Sequence, residues 1–238
     1  RDISIYDVGD LGGSTARAKA INNVGIVVGE SFLSPSGPSH AFLWTDKGIK
    51  DLGTLGGPSS IAQDINDSGN VIGSSINHEG NNRAFLWTRD KGMLDLGTLG
   101  GRHSNASAIN SLGNVVGSSW TIPGESPANP VETAFLWSQA TGMLPLGTLT
   151  GDWSRALDIN DRNEVIGISP VRGFTRGFIW DDKSGMQDIG TLGGDTTEAL
   201  AINNRGEVIG MSETKSREYR PFIWTKDTEM IKIPITGK

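Results

Sequence analysis

The chain has 238 residues, enough for one large domain, and carries a net charge of −6 with 20% charged residues. That negative balance argues against nucleic acid as a partner, because phosphate binding needs a dense basic surface. No apolar run is long enough to span a bilayer, and the lack of cysteine excludes a disulfide framework, a thiol nucleophile and a Cys-ligated zinc.

In chain order, the first element is a strand-like run from Ile3 to Val8, followed by the connector Asp7 to Gly13. A repeat then begins. Ile-Asn recurs at Ile21-Asn22, Ile65-Asn66, Ile109-Asn110, Ile159-Asn160 and Ile202-Asn203, in steps of 44, 44, 50 and 43 residues. A Phe-x-Trp pair recurs at Phe42 and Trp44, Phe85 and Trp87, Phe135 and Trp137, Phe178 and Trp180, and Phe222 and Trp224. Asp-Leu-Gly-Thr-Leu-Gly-Gly starts at Asp51 and Asp95, with variants at Asp7, Pro145 and Asp188.

Each copy reads as four short strands, a to d, separated by turn residues. In the second copy these are 61–66, 70–75, 83–88 and 93–97. No sustained 3.6-residue apolar period calls for a helix. The a–b turn ends on Gly25, Gly69, Gly113, Asn163 or Gly206, residues suited to a left-handed hairpin position. Strand c is apolar on both faces and needs cover on both. Strand a carries a small residue at Ala18, Ala62, Ala106, Ala156 and Ala199, which suits a crowded axis. Both features predict an all-β, five-bladed β-propeller of four-stranded antiparallel blades. The expected repeats are 14–53, 58–97, 102–147, 152–190 and 195–235, in a single domain over 1–238. Strand d occurs six times, counting 3–8 and 230–235. The N-terminal copy is expected to close the last blade from its outer side and hide an edge. The place of the C-terminal copy stays open, either a fifth strand or a neighbour of strand c.

These motifs resemble the HAF-repeat family of bacterial extracellular repeat proteins. His40-Ala41-Phe42 spells the tripeptide for which it is named, and the Asp-Leu-Gly-Thr-Leu-Gly-Gly and Ile-Asn-Asp-x-Gly stretches look like its other hallmarks. Later copies depart from the tripeptide, with Arg83, Thr133, Arg176 and Arg220 in place of His40, and with Gly177 and Pro221 in place of Ala. The resemblance covers nearly the whole chain. It implies export to the cell surface or beyond, although this chain carries no signal peptide, and it brings no established activity or catalytic residues.

Several candidate sites stand out from the repeat. Asp64 and Asp158 share a strand-a position where other copies have Ala20, Ala108 and Ala201. With Glu198 they offer carboxylates for glycoside chemistry near a central depression; the competing role is to bond neighbouring backbone. Asp64 to Gly69, and Asp158 with Asp161, faintly resemble a calcium loop, but the ligand pattern is incomplete and plain hairpin turns are expected. His40, His78 and His103 fall in connections on one rim, where unrelated loop positions are the expectation and not a zinc site. No metal or cofactor is expected.

Trp153 breaks the repeat inside a d–a crossover, between Asp152 and Arg155, where other copies have Thr15, Ser59, His103 and Thr196. Trp120 replaces Phe32 and Ile76 and reads as a packing residue. The third copy also has an insertion from Ile122 to Thr133, stiffened by three prolines. The d–a and b–c connections share one end of each blade and vary between copies. The predicted ligand contacts are therefore Trp153, Arg155, Asp152, His103, Asn105, Arg17 and Glu198. The leading expectation is an exported, non-enzymatic binding module for a glycan or a protein surface, with no nucleic acid and no membrane insertion. A glycosidase or lyase, and a purely structural repeat unit, are the alternatives.

Overall fold

The computed structural model describes residues 7–121 and 131–234. They form five four-stranded antiparallel sheets, each in simple chain order. The first contains β1 (Ala16–Ile21), β2 (Val27–Phe32), β3 (Ser39–Thr45) and β4 (Gly48–Asp51). The second contains β5 (Gly56–Ile65), β6 (Val71–Asn77), β7 (Asn82–Thr88) and β8 (Gly92–Asp95). The third contains β9 (Ser104–Ile109), β10 (Val115–Thr121), β11 (Val131–Ser138) and β12 (Gly142–Gly147). The fourth contains β13 (Arg155–Ile159), β14 (Val165–Val171), β15 (Phe174–Asp181) and β16 (Gly185–Asp188). The fifth contains β17 (Gly193–Ile202), β18 (Val208–Thr214), β19 (Tyr219–Thr225) and β20 (Glu229–Lys232). Among the described residues there is no helix. The fold is the expected five-bladed propeller of four-stranded blades. The chain divides into two compact units, one ending at Leu96 and holding two blades, the other starting at Gly97 and holding three.

Two boundaries differ from the sequence reading. β5 and β17 begin within the crossover, because Gly56 and Gly193 pair with Asn77 and Thr214 ahead of a register shift. The C-terminal strand lies directly beside strand c of its own blade, with Phe222 opposite Lys232 and Trp224 opposite Met230. The strand-d place of the last blade is thus filled from its own repeat. The closing strand read at 3–8 falls for residues 3–6 outside the described residues, and Asp7 and Val8 carry no strand.

A shared Gly-x-Ser on strand b explains how the blades are built. Gly29, Gly73, Gly117, Gly167 and Gly210 each lie opposite a strand-c phenylalanine, namely Phe42, Phe85, Phe135, Phe178 and Phe222. A Cβ at any of these glycines would overlap a strand-a carbonyl oxygen, that of Arg17, Ile61, Asn105, Arg155 or Glu198. All five phenylalanines are fully buried. The glycine therefore supplies the close backbone approach that makes room for a ring.

The serine two residues later, at Ser31, Ser75, Ser119, Ser169 and Ser212, is buried and fixes the crossover. Its hydroxyl accepts the N–H of Leu11, Leu55, Leu99, Leu149 or Leu192 at 2.8–3.0 Å. A second buried hydroxyl, at the start of strand a, donates back to the crossover. Ser60, Ser104, Ser154 and Thr197 bond the carbonyls of Gly53, Gly97, Gly147 and Gly190 at 2.6–2.7 Å. Ser60 and Ser154 also accept the strand-c N–H of Ala41 and Ala134 from the preceding blade.

The Ile-Asn motif joins blades at the opposite end. The Asn22 carboxamide oxygen accepts Val24 and Ile26 N–H within its own turn, and its Nδ2 donates to the Asn66 carbonyl of the next blade at 3.1 Å. Asn110 and Asn160 do the same toward Asn160 and Asn203. The turn residues Gly25, Gly69, Gly113, Asn163 and Gly206 have φ between 59° and 83°, as the pattern predicted. Between blades, strand-a Ala and Ile pack on the preceding sheet. Ala62 and Ile65 join Val28, Ala41 and Leu43, while Ala199 and Ile202 join Ile166 and Ile179.

Three substitutions test this account. Ser154→Ala leaves the Ala134 N–H and the Gly147 carbonyl without their buried partner and should cost about 1–3 kcal/mol. Ser154→Thr should cost less, since Thr197 fills the same place in the fifth blade. Gly167→Ala forces a methyl against the Arg155 carbonyl and the Phe178 ring, and should destabilise by about 3 kcal/mol or prevent folding. Thermal melts of the three variants check the order; a Gly167→Ala protein as stable as wild type would reject the close-approach explanation.

Candidate functional site

The second unit contains a cleft of about 340 Å³ lined by Trp120, Val131, Glu132, Asp152, Trp153 and Arg155. Three elements build it. Trp120 on β10 lies directly opposite Glu132 on β11, next to the pair Thr121 and Val131. The crossover carrying Asp152 and Trp153 is clamped to β11 by the Ser154 N–H, which donates to the Glu132 carbonyl at 2.9 Å. The Trp153 carbonyl accepts the Ser169 hydroxyl at 2.9 Å. Arg155 then opens β13.

The side chains interlock. Arg155 donates through Nε and Nη2 to Glu132 Oε2, each at 2.6 Å. Its guanidinium carbon lies 5.5 Å from the Trp153 ring centroid, a cation–π contact. Trp120 is 37% exposed, and His103 meets it edge-on with centroids 4.5 Å apart and planes at 83°. The arrangement presents two partly exposed indoles beside a fixed guanidinium and two carboxylates. Flat apolar faces with adjoining hydrogen-bonding groups suit a sugar ring or a peptide side chain.

Of the residues singled out from sequence, Trp153, Asp152 and Arg155 come together here, and His103 supports the site from behind Trp120. Asn105 is exposed on β9 and Glu198 is exposed on β17, neither lining the cleft. Arg17 belongs to the first unit, where it faces Glu30 at 3.6 Å. The reading of Trp120 as a packing residue is corrected. Its ring is partly exposed and lines the cleft, with the charged Glu132 opposite it on the neighbouring strand and His103 at nearly a right angle to it. Glu132 was also missed, since the hairpin register that puts it opposite Trp120 is set across an insertion. Residues 122–130 of that insertion lie outside the described residues.

The other candidates have structural partners. Asp158 Oδ1 accepts the Ile159 N–H at 2.8 Å and Oδ2 the Ile202 N–H of the next blade at 2.9 Å. Burial raises its pKa, partly opposed by those two bonds. Asp64 accepts the Ile65 N–H in the same way. The carboxylates of the calcium-like turns bind neighbouring turns, Asp67 holding Asn23 and Asp161 holding Ser111 and Asn204. His40 pairs with Asp51 at 2.9 Å, and His78 is exposed beside Glu79. Among the described residues, no group of three or more His, Asp or Glu is placed to hold a metal ion.

No family model matches this chain, and neither does any curated protein. Solved structures match at the level of fold. A puromycin hydrolase aligns with a TM-score of 0.56 at 9% identity, over 94% of this chain and 40% of that one. TolB from Acinetobacter baumannii aligns at 0.53 and 14% identity, over 91% of this chain and 53% of TolB. A gluconolactonase from Xanthomonas campestris aligns at 0.51 and 12% identity, over 96% and 79%. This chain thus spans about half of TolB and less of the hydrolase. At such identities the likeness establishes the fold alone. Among the described residues, no helix is long and apolar enough to cross a membrane.

The raised Asp158 pKa makes a signed prediction. A carboxyl whose folded pKa exceeds its unfolded value adds stability below the unfolded pKa and loses that contribution as pH rises through the folded value. Wild type should therefore lose stability relative to Asp158→Asn between about pH 3 and about pH 7. Paired thermal melts at both pH values check it; a difference that grows in the other direction would contradict the burial argument.

Proposed function

We propose that this chain is an exported, non-catalytic binding module of the HAF-repeat kind, which holds a glycan or a protein surface in the Trp120–Trp153 cleft. The observation that carries this reading is the convergence of two partly exposed indoles on one cleft whose polar groups are already fixed by the Arg155–Glu132 pair. Preorganised groups lose little entropy on binding, and exposed aromatic faces supply area at low cost in side-chain freedom. Export rests on the repeat resemblance. The propeller likeness is compatible with binding modules and enzymes alike.

The alternative of a glycosidase or lyase acting through Asp64, Asp158 and Glu198 has less support. Both oxygens of Asp158 are taken by backbone N–H groups, which gives it a full structural role. A purely structural repeat unit does not account for two tryptophans that break the repeat at one cleft.

A glycan array and a panel of exported proteins would supply a ligand. Trp153→Ala and Trp120→Ala should each weaken it by about tenfold or more, equivalent to about 1.4 kcal/mol. Melting temperatures should stay close to wild type. Unchanged affinity in both variants would remove the cleft as the binding site.

A further inference from the structure

The first unit contains a second cleft, of about 320 Å³, at the c–d turns, the end of the blade away from the b–c connections. Lys47, Lys50 and Arg89 line it together with Thr45 and Trp87, and no carboxylate does. Lys50 Nζ lies 4.8 Å from the Trp87 ring centroid, so its stem is held along the indole. Among the described residues, none of the three cations belongs to an ion pair. Asp46 and Asp90 stand in the same turns without pairing to them. Three unneutralised cations around one cleft are notable in a chain whose net charge is −6.

The repeat supplies an internal comparison. Arg89 follows Trp87 by two residues, as Lys226 follows Trp224, so the two occupy the same repeat position. Between the fourth and fifth blades, Lys226 is neutralised from within. Its Nζ lies 2.7 Å from Asp181 Oδ2 and 3.3 Å from Glu164 Oε1. Asp181 follows Trp180, and Glu164 precedes Val165. In the first blade, Thr45 follows Trp44 and Ile26 precedes Val27. The junction of the first and second blades thus lacks both counter-charges. It has also gained a cation, since Lys50 stands at the strand-d position where the fourth blade has Gln187, each opposite the central residue of Phe-x-Trp.

We propose that this cleft is a binding site for a compact oxyanion, a sulfate or phosphate group, held by Lys47, Lys50 and Arg89. The bound anion takes the place that Asp181 and Glu164 fill for Lys226. The Arg89 guanidinium offers parallel N–H donors that match two oxygens of such a group, and the two ammonium groups add point charges. The site is independent of the tryptophan cleft and does not rest on the function proposed for it.

The test titrates the protein with inorganic sulfate, and separately with inorganic phosphate, at constant ionic strength balanced with chloride. Binding is read by calorimetry and by the change in total tryptophan emission, to which Trp87 beside Lys50 contributes. Saturable binding with a dissociation constant below about 10 mM is expected for at least one of the two anions. The difference between the two titrations shows which of the two oxyanions the cleft prefers. Thr45→Asp rebuilds the internal counter-charge of the fourth blade and should weaken binding by about tenfold or more without lowering the melting temperature. Arg89→Gln, an exposed change, should weaken it similarly. Lys183→Gln, a solvated cation in the fourth blade's turn, should leave it unchanged. Absence of saturable binding to both anions, or equal affinity in wild type, Thr45→Asp and Arg89→Gln, would overturn the proposal.

Discussion

The structure depends on one close approach. In every blade a strand-b glycine lets a strand-a carbonyl sit where a Cβ would be, and a phenylalanine ring fills the space on the adjoining strand. Burying such a ring contributes about 2–3 kcal/mol, and five copies of it give each blade its own anchor. The neighbouring serine then converts the same strand into a hydrogen-bonding post for the crossover. A buried hydroxyl that both donates and accepts costs little, whereas a buried backbone N–H without a partner is expensive. The Leu-Gly-Gly crossover keeps one shape in most copies because its N–H and C=O groups are held by these hydroxyls.

The same economy explains how the repeat varies. Where His40 of the first blade meets Asp51, the second and fourth blades place Arg83 and Arg176 against Asp95 and Asp188. The pair is retained as a nitrogen-bearing side chain facing a strand-d carboxylate, although the residue changes. In the third blade Thr133 and Pro145 replace both members, and in the fifth Arg220 turns to Glu218 because Lys232 stands on strand d. Departures from the tripeptide are thus tied to the residue that strand d offers beside it.

The tryptophan cleft lies where the repeat is broken. Trp120 on β10 and Trp153 in the following crossover replace smaller or less exposed residues, and the backbone bond from Ser154 to Glu132 holds that crossover against β11. At the other end of the blades the turns are nearly uniform in backbone, but their charges are not. Lys226 has two carboxylates and Arg89 has none. A shared scaffold with local substitutions gives different surface chemistry at equivalent places, since the core that holds each blade is indifferent to what the turn residues carry.

The sequence by itself determined the five-fold repeat, the four strands of each copy, the turn glycines and the Phe-x-Trp pairs, whose five phenylalanines are all buried. These are short-range properties, written as spacing and period, and each follows from residues within a single hairpin. It also marked Trp153, Asp152 and Arg155, because they interrupt the pattern within one connection. Gly-x-Ser was equally regular in spacing, yet its role needs a carbonyl from strand a and an N–H from the crossover, groups brought together only by the fold. The tertiary structure alone decided that Trp120 faces a cleft, that Glu132 joins it, that Asp158 has backbone on both oxygens, and that the C-terminal strand completes its own blade. Each of these depends on register between strands or on the packing of one blade against the next, and such long-range pairings leave no mark on local spacing.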